Sequence, residues 1–491
     1  MKKRAAIAIA AVIVLAAAAA GCFFLLGDGA ELREDAAEDT VELVYYTIGD
    51  PDEDLELVNG AINELLLERY GFTIDYRKVG WNEYENQLTA LINTHSGFDI
   101  AFAWAQNYQS NAAAGHFLDL TDLLDGHSAL YGAVDERFWR GVAVDGRIYG
   151  VPTNKELAPP LHSLYSAGLV EKYGVDIEKY GSIASLEGVL AEIAANEPDC
   201  IPLFFDASHV GLLATLGYEY AAYSDLPLVV RTSDRSCEVL SAFEQADVLE
   251  MLRTLHRYYE LGYINEDAAI RTTLSRFSDE EVFLRMASGG PDSAASYSQT
   301  FGYPIVVHQA GESIVTSEST QGGIMAVSAY TAHPEECLTF LEALNTDAEL
   351  RNLFNYGIEG VHYTLTDSGQ VHTISDGYTG VEYTQGNWFI LRTREGESRD
   401  KWETYREFND SARESHLLGF IPSYEGLEDE RDAVASVYQR YSAALFTGTV
   451  DPDIYVPRFL EELEAAGIEA LRAGFQEQID AFLGADREET A

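Results

Sequence analysis

The amino-acid sequence predicts an α/β protein of two or more lobes. Three observations lead there. The chain has 491 residues, more than one hydrophobic core organises. Its hydrophobic content is 47%, that of a globular protein rather than a disordered one. Between Val41 and Phe102 the apolar pattern runs strand, helix, strand, helix, strand, the rhythm of a parallel sheet with right-handed crossovers.

Lys2, Lys3 and Arg4 precede an unbroken apolar run from Ala5 to Ala20, shorter than a typical membrane-spanning helix. Ala19-Ala20-Gly21-Cys22 closes it, and the whole resembles a bacterial lipoprotein signal with its lipobox. By that resemblance residues 1–21 are a signal peptide and Cys22 becomes the lipid-carrying N-terminus. The Ala-Gly-Cys placement favours this over an uncleaved anchor helix extended by Phe23 to Leu26. Residues 22–40, with Glu31, Glu34, Asp35, Glu38 and Asp39 and few apolar groups, are expected to form a disordered, self-repelling tether.

Val41 to Tyr46 reads as a strand broken by Thr47-Ile48-Gly49-Asp50-Pro51. Leu55, Val58, Ile62, Leu65 and Leu66 follow helical spacing, with Gly71 as the stop. Phe72, Ile74 and Tyr76 alternate as a strand. Asn82 and Glu85 have capping-box spacing ahead of the stripe Tyr84, Leu88, Leu91 and Ile92, and Trp81, opening that helix, is expected in the core. Phe98 to Phe102 is a buried strand. Arg147 to Glu156 reads as a strand running into a kink, and Gly322 to Val327 as another strand. Pro334 opens a helix with Leu338, Leu341 and Leu344 on its buried side, and Thr346 with Glu349 predicts a capping box for the next. The last hundred residues are mainly helical, with stripes such as Leu471, Phe475, Ile479 and Phe482.

Asp50 and the stretch Trp104, Gln106, Asn107 and Tyr108 both follow strands of the same expected sheet, so they can share its carboxyl edge, where α/β folds bind ligands. Trp and Tyr offer flat apolar faces while Gln and Asn offer donors and acceptors. That combination suits a sugar ring, which has an apolar face and a rim of hydroxyls. Asp50 is equally suited to cap the helix after it. Asn154, Lys155 and Glu156 sit where the chain crosses between lobes, as ligand contacts or as a solvated hinge, and Trp388 is a further candidate platform.

The net charge of −49 argues against nucleic acid and anionic lipid surfaces as partners. Asp50, Asp52 and Asp54 mimic the start of a calcium loop, but Leu55 and Ala61 stand where its glycine and final glutamate belong. The 11 histidines show no paired metal spacing, and no GxSxG or Walker A motif occurs. Neither a metal nor any other cofactor is implied. Cys200 and Cys237 could pair in an oxidising exterior, whereas Cys337 on a helix is expected to be buried and free.

The lipobox, Gly80 to Glu85, Phe98 to Thr121, Gly150 to Glu156 and Asn355-Tyr356-Gly357-Ile358-Glu359-Gly360 together resemble the family-1 extracellular solute-binding lipoproteins of ABC importers, the maltose-binding-protein-like group. Gly386-Asn387-Trp388-Phe389 and Glu407-Phe408-Asn409 resemble the helical C-terminal module of a Gram-positive-type subgroup. The resemblance implies a two-lobed, periplasmic-binding-protein-like fold (a Venus flytrap). Residues 41–153 and 321–385 then form one lobe, 154–320 the other, and 386–486 a helical module packing on them. It implies a binding protein rather than an enzyme, anchored on the extracellular face of the membrane, that delivers a solute such as an oligosaccharide to permease subunits. By matching positions, Asp50, Gln106 and Asn107 contact the ligand, the amides replacing a charged acid–base pair. An anchored carbohydrate hydrolase using two of the many carboxylates, and a peptide or sensor receptor on the same fold, are the alternatives.

Overall fold

The computed structural model describes residues 40–489 apart from 96, 209–210 and 272–280, and the side chains of 106 and 486–489 also lie outside the description. The signal peptide, Cys22 and the tether therefore fall outside the described residues.

The strands that matter here, in chain order, are β1 (Glu42–Ile48), β2 (Thr73–Val79), β3 (Ile100–Ala103), β4 (Gly150–Pro152), β5 (Leu161–Ser166), β6 (Ile201–Leu203), β7 (Val282–Ser288), β8 (Ile305–Gln309), β9 (Ile314–Val315), β10 (Ile324–Val327) and β11 (Arg413–Glu414). One sheet has the order β2-β1-β3-β10-β4, with β1, β2 and β3 parallel and β10 antiparallel to both β3 and β4. The other has the order β8-β5-β7-β6. Each sheet has its own core. Tyr45, Ile62, Leu88, Phe102, Phe340 and Phe354 gather on the first. Tyr165, Leu190, Phe243 and Phe283 gather on the second, joined by Phe459, Leu471 and Phe475 from the C-terminal helices.

Local signals explain the first half of this. Alternation in β1 turns Leu43 and Tyr45 inward. The helix Leu55–Tyr70 buries Val58, Ile62 and Leu66 and stops at Gly71, whose φ of 81° suits glycine. Two expected capping boxes do not form. The helix Tyr84–Thr94 has no side-chain cap: Glu83 stands at its N-cap, one residue past Asn82, and Glu85 accepts a hydrogen bond from Asn107. The helix Ala348–Tyr356 is capped by Asp347, which accepts from the amides of Glu349 and Leu350, while Thr346 bonds back to Glu342. Nor does Asp50 cap the first helix, which starts beyond Asp54.

The chain leaves the first sheet after Pro152 and enters the second at Leu161. It returns between Gln309 and Ile324, and β11 runs beside β9 on this return path. No helix among the described residues is long and apolar enough to cross a membrane.

Candidate functional site

Because β1, β2 and β3 are parallel, their carboxyl ends share one edge, and the antiparallel β10 begins there while β4 ends there. Asp50, Trp81, Trp104, Thr153 and Gly323 meet along this edge. A Cβ at Gly80 would stand 3.3 Å from Asp50 Oδ1. The segment Val381–Gln385 lies across the same edge. A Cβ at Gly49 would come within 2.7 Å of the Val381 side chain, and one at Gly323 within 2.7 Å of the Tyr383 carbonyl. Both glycines are required by that close approach, and Gly49 also holds a φ of 149°.

Trp81 is not a core residue. It is 45% exposed and stacks on Tyr383, which is 41% exposed, with ring centroids 6.1 Å apart and planes at 26°. These two rings form an apolar wall open to solvent, and Gly80, the residue before Trp81, abuts the Asp50 carboxylate. The chain signal for Trp81, an aromatic directly after a strand, is the same one that singled out Trp104. Tyr383 carries no such signal.

The expected loop after β3 begins a helix, Ala105–Ala113. Trp104 is half-buried against Phe102 and Tyr84, at 5.4 and 6.2 Å between ring centroids. Asn107 Oδ1 accepts from the Trp104 amide, and its Nδ2 donates to Glu85 Oε1 at 3.0 Å. Its amide is therefore engaged in closing the helix start. The Gln106 side chain lies outside the described residues. Tyr108 is a correction: it is fully buried, its hydroxyl donates to the Val142 carbonyl and accepts from the Tyr149 amide. Helical geometry turns it into the core, away from the edge.

Asn154 is a second correction. It is buried, its Nδ2 bonds to the Ala133 carbonyl and Asn387 Oδ1, and its backbone pairs with Gly386 and Trp388. Its Nδ2 and backbone are spent on tying chain segments together rather than turned to a ligand. Trp388 is half-buried, donating to the Glu382 carbonyl and packing on Trp402 and Tyr405 at 6.0 Å. Glu156 accepts from Lys155 with Oε1 at 3.0 Å, while its buried Oε2 has no partner among the described residues. Asn409 clamps this crossing chain, accepting from the Leu157 amide and donating to the Lys155 carbonyl.

Two cavities are relevant, the first of them at the crossing. One, about 420 Å³, is lined by Lys155, Leu161, Ser208, Glu219, Glu318 and Ser415 among others. Burial is the largest cause raising both Glu219 and Glu318 above the ordinary glutamate value. The other, about 780 Å³, is lined by Asp292, Glu382, Arg394, Glu397, Lys401 and Tyr405. The Tyr405 hydroxyl donates to Asp292 Oδ1 at 2.5 Å, and its titration is pushed up by burial and then by Asp292. Both volumes lie in the range of small-molecule sites.

Among the described residues no group of three or more His, Cys, Asp or Glu is placed to hold a metal ion. Cys200, Cys237 and Cys337 are buried free thiols, so the pairing of Cys200 with Cys237 is not formed. Burial raises Cys200 to about 12 and Cys237 to about 11, which leaves neither thiol a nucleophile at neutral pH.

The family model described as bacterial extracellular solute-binding protein matches residues 62–369. A second, a domain of unknown function (DUF3502), matches residues 416–484. A curated relative from Streptococcus pneumoniae serotype 4, a carbohydrate ABC transporter substrate-binding protein, is 30% identical over 490 residues, covering 98% of each chain. The crystal structure of the N-glycan transport solute binding protein (NgtS) from Streptococcus pneumoniae has a TM-score of 0.82 and 29% identity, covering 91% of this chain and 99% of that one. The same protein in complex with Man5GlcNAc has a TM-score of 0.72 at 29% identity, with coverage of 91% and 99%. A solute-binding protein from Bifidobacterium longum infantis, at 13% identity and a TM-score of 0.66 over 91% of this chain and 100% of that one, shares the fold.

Proposed function

The chain belongs to the bacterial extracellular solute-binding proteins, and we propose that it captures an oligosaccharide outside the cell and hands it to the permease of an ABC importer. In this reading Cys22 carries the lipid, 22–40 is the tether, 41–153 with 321–385 forms one lobe, 154–320 the other, and 386–486 packs on them. The single observation that carries the ligand class is the solvent-open aromatic wall of Trp81 and Tyr383 beside Asp50. A pyranose needs such a wall for its apolar face and an acceptor for its hydroxyl rim. The similarity to NgtS supports the same class, since that protein is described in complex with Man5GlcNAc. Trp104 and Glu156 complete the proposed contacts, one on each side of the point where the chain leaves the first sheet. The ligand is bound and released unchanged.

The test is calorimetry on the mature protein with high-mannose glycans, milk-type and fructose-based oligosaccharides and short peptides. Mass spectrometry of the recovered ligand completes it. Binding of one oligosaccharide class, returned intact, is expected. Cleaved sugar would make the chain a hydrolase, and binding of peptides alone would make it a peptide receptor.

A further inference from the structure

We propose, resting on the oligosaccharide reading above, that the 780 Å³ cavity takes a second sugar unit of the bound chain and that its charge restricts this unit to a neutral one. The cavity lies between elements of the two sheets. Asp292, Ala295, Ser296 and Gln299 line it from the helix Ser293–Phe301 and its start. That helix packs Tyr297 and Phe301 on Leu164 of β5 and Ile305 of β8. Glu382 and the helix Lys401–Ser411 line it from the other side. This second helix buries Trp402 with Tyr356, which ends the helix that gives Leu350 and Phe354 to the first core. The two sides meet at Asp292. Tyr405 donates to its Oδ1 at 2.5 Å, and Lys401 Nζ stands 3.5 Å from its Oδ2 and 2.8 Å from Glu397 Oε1. A Cβ at Gly290 would come within 2.7 Å of the Tyr405 ring, so glycine permits this approach.

The groups left over in this space are hydrogen-bonding ones. Glu382 spends its backbone carbonyl on Trp388 Nε1 and Arg351 Nη2. Its carboxylate has no hydrogen-bond or ion-pair partner among the described residues. On the facing helix the exposed Ser296 hydroxyl and Gln299 amide are likewise without partners among them. A carboxylate accepts from two neighbouring hydroxyls at once, and an amide and a hydroxyl both donate and accept. Adjacent hydroxyls on a sugar ring present that pattern. The apolar side chains of the lining are only Pro291, Ala295 and Tyr405, which sets it apart from a pocket for an apolar group.

Glu382 and Tyr383 are consecutive in the short turn Glu382–Thr384. Their Cα atoms are about 3.8 Å apart across a trans peptide, so a sugar stacked on Tyr383 has its neighbour within reach of Glu382. The charge of the lining then selects. Four carboxylates, Asp292, Glu382, Glu395 and Glu397, stand against two cations, Arg394 and Lys401. Lys401 is shared by Asp292 and Glu397, and Arg394 lies over the Tyr356 ring at 4.8 Å. Glu395 is met at 2.6 Å by His372. A sugar acid brings its own carboxylate to this surplus of negative charge, and the like charges repel.

The test is calorimetry on the full mature chain with a high-mannose glycan and a neutral milk-type tetrasaccharide. Each is offered as the neutral sugar and with its primary hydroxyls oxidised to carboxylates. The parent is expected to bind a neutral probe and to bind its oxidised form about tenfold more weakly or worse. Glu382→Gln is expected to weaken the neutral probe by about ten- to hundredfold and to narrow the gap between the two forms. Ala295→Trp, at an exposed helix position, fills the cavity and is expected to weaken binding without lowering the melting temperature. A parent that binds neither neutral probe overturns the oligosaccharide reading and this subsite with it. A parent that binds while both variants match it overturns the subsite alone and leaves the aromatic wall standing. Equal affinity for neutral and oxidised forms, or a gap unchanged in Glu382→Gln, overturns the charge restriction. A lysine-rich peptide bound by the parent and lost in Glu382→Gln, with glycan affinity unchanged, gives the cavity to a basic peptide and overturns the proposal.

Discussion

The indole of Trp81 lies over the phenol ring of Tyr383, 6.1 Å away and 26° from parallel, and each ring keeps over a third of its surface in water. Open apolar area of this kind stabilises little until something covers it. Trp81→Ala is therefore expected to weaken oligosaccharide binding by about 1–3 kcal/mol, roughly five- to hundredfold, with little change in melting temperature. Trp104→Ala should behave differently. Its ring packs on Phe102 and Tyr84, so it should lower the melting temperature as well as the affinity. Calorimetry and thermal unfolding on both variants separate the two roles. An unaffected affinity in Trp81→Ala would remove the wall from the site.

Tyr108 provides the contrasting case. Its buried hydroxyl joins the Val142 carbonyl and the Tyr149 amide. Tyr108→Phe leaves those two groups without their partner and should destabilise the protein by about 1–3 kcal/mol in urea unfolding. Ligand affinity should stay within twofold (about 0.4 kcal/mol). A selective loss of affinity would return Tyr108 to the site.

Asn409 holds both sides of the crossing chain, through the Lys155 carbonyl and the Leu157 amide. Asn409→Ala strands two buried backbone groups, at about 1–3 kcal/mol each. The expected signature is a lower unfolding midpoint together with faster amide exchange at Leu157. Unchanged exchange there would show that other contacts hold the crossing.

Glu318 accepts hydrogen bonds from the amide and hydroxyl of Ser224, yet burial wins and raises its titration above the usual 4.5. With a raised value the folded state disfavours the ionised form. Below 4.5 both states are protonated and nothing is lost. As pH rises from 4.5 through the folded-state value, stability is lost. Glu318→Gln keeps an acceptor for Ser224 and removes that loss. Its unfolding midpoint should match the parent near pH 4 and exceed it progressively towards pH 7. A constant difference across that range would contradict the assignment.

Cys22 stands directly after the small-residue motif that closes the apolar run. Cys22→Ser is expected to release the protein from membranes or to leave its signal uncleaved, read by fractionation and intact-mass measurement. Unchanged anchoring and processing would remove the lipidation proposal.

The features legible in the residues alone are local in origin. The alternation of periods between Val41 and Phe102 specified the parallel core of the first sheet, because side-chain periodicity sorts buried from exposed positions within one element. Gly71 stopped its helix because a left-handed residue is cheapest as glycine. The carboxyl edge followed from the strand order, so Asp50 and Trp104 were legible as its neighbours. The other features depend on residues far apart in the chain. Trp81 and Tyr108 both follow strand ends as aromatics, yet one is open and the other is sealed, because neighbouring elements cover Tyr108 and leave Trp81 bare. Asn154 looked like a free amide until Ala133 and Asn387 were brought to it. Asn409 meets Lys155 across 254 residues, and Arg351 is fully buried where it meets the Glu382 carbonyl and Gly386. Burial is set by the sum of packed surfaces, and no local pattern encodes which distant segment will supply the cover.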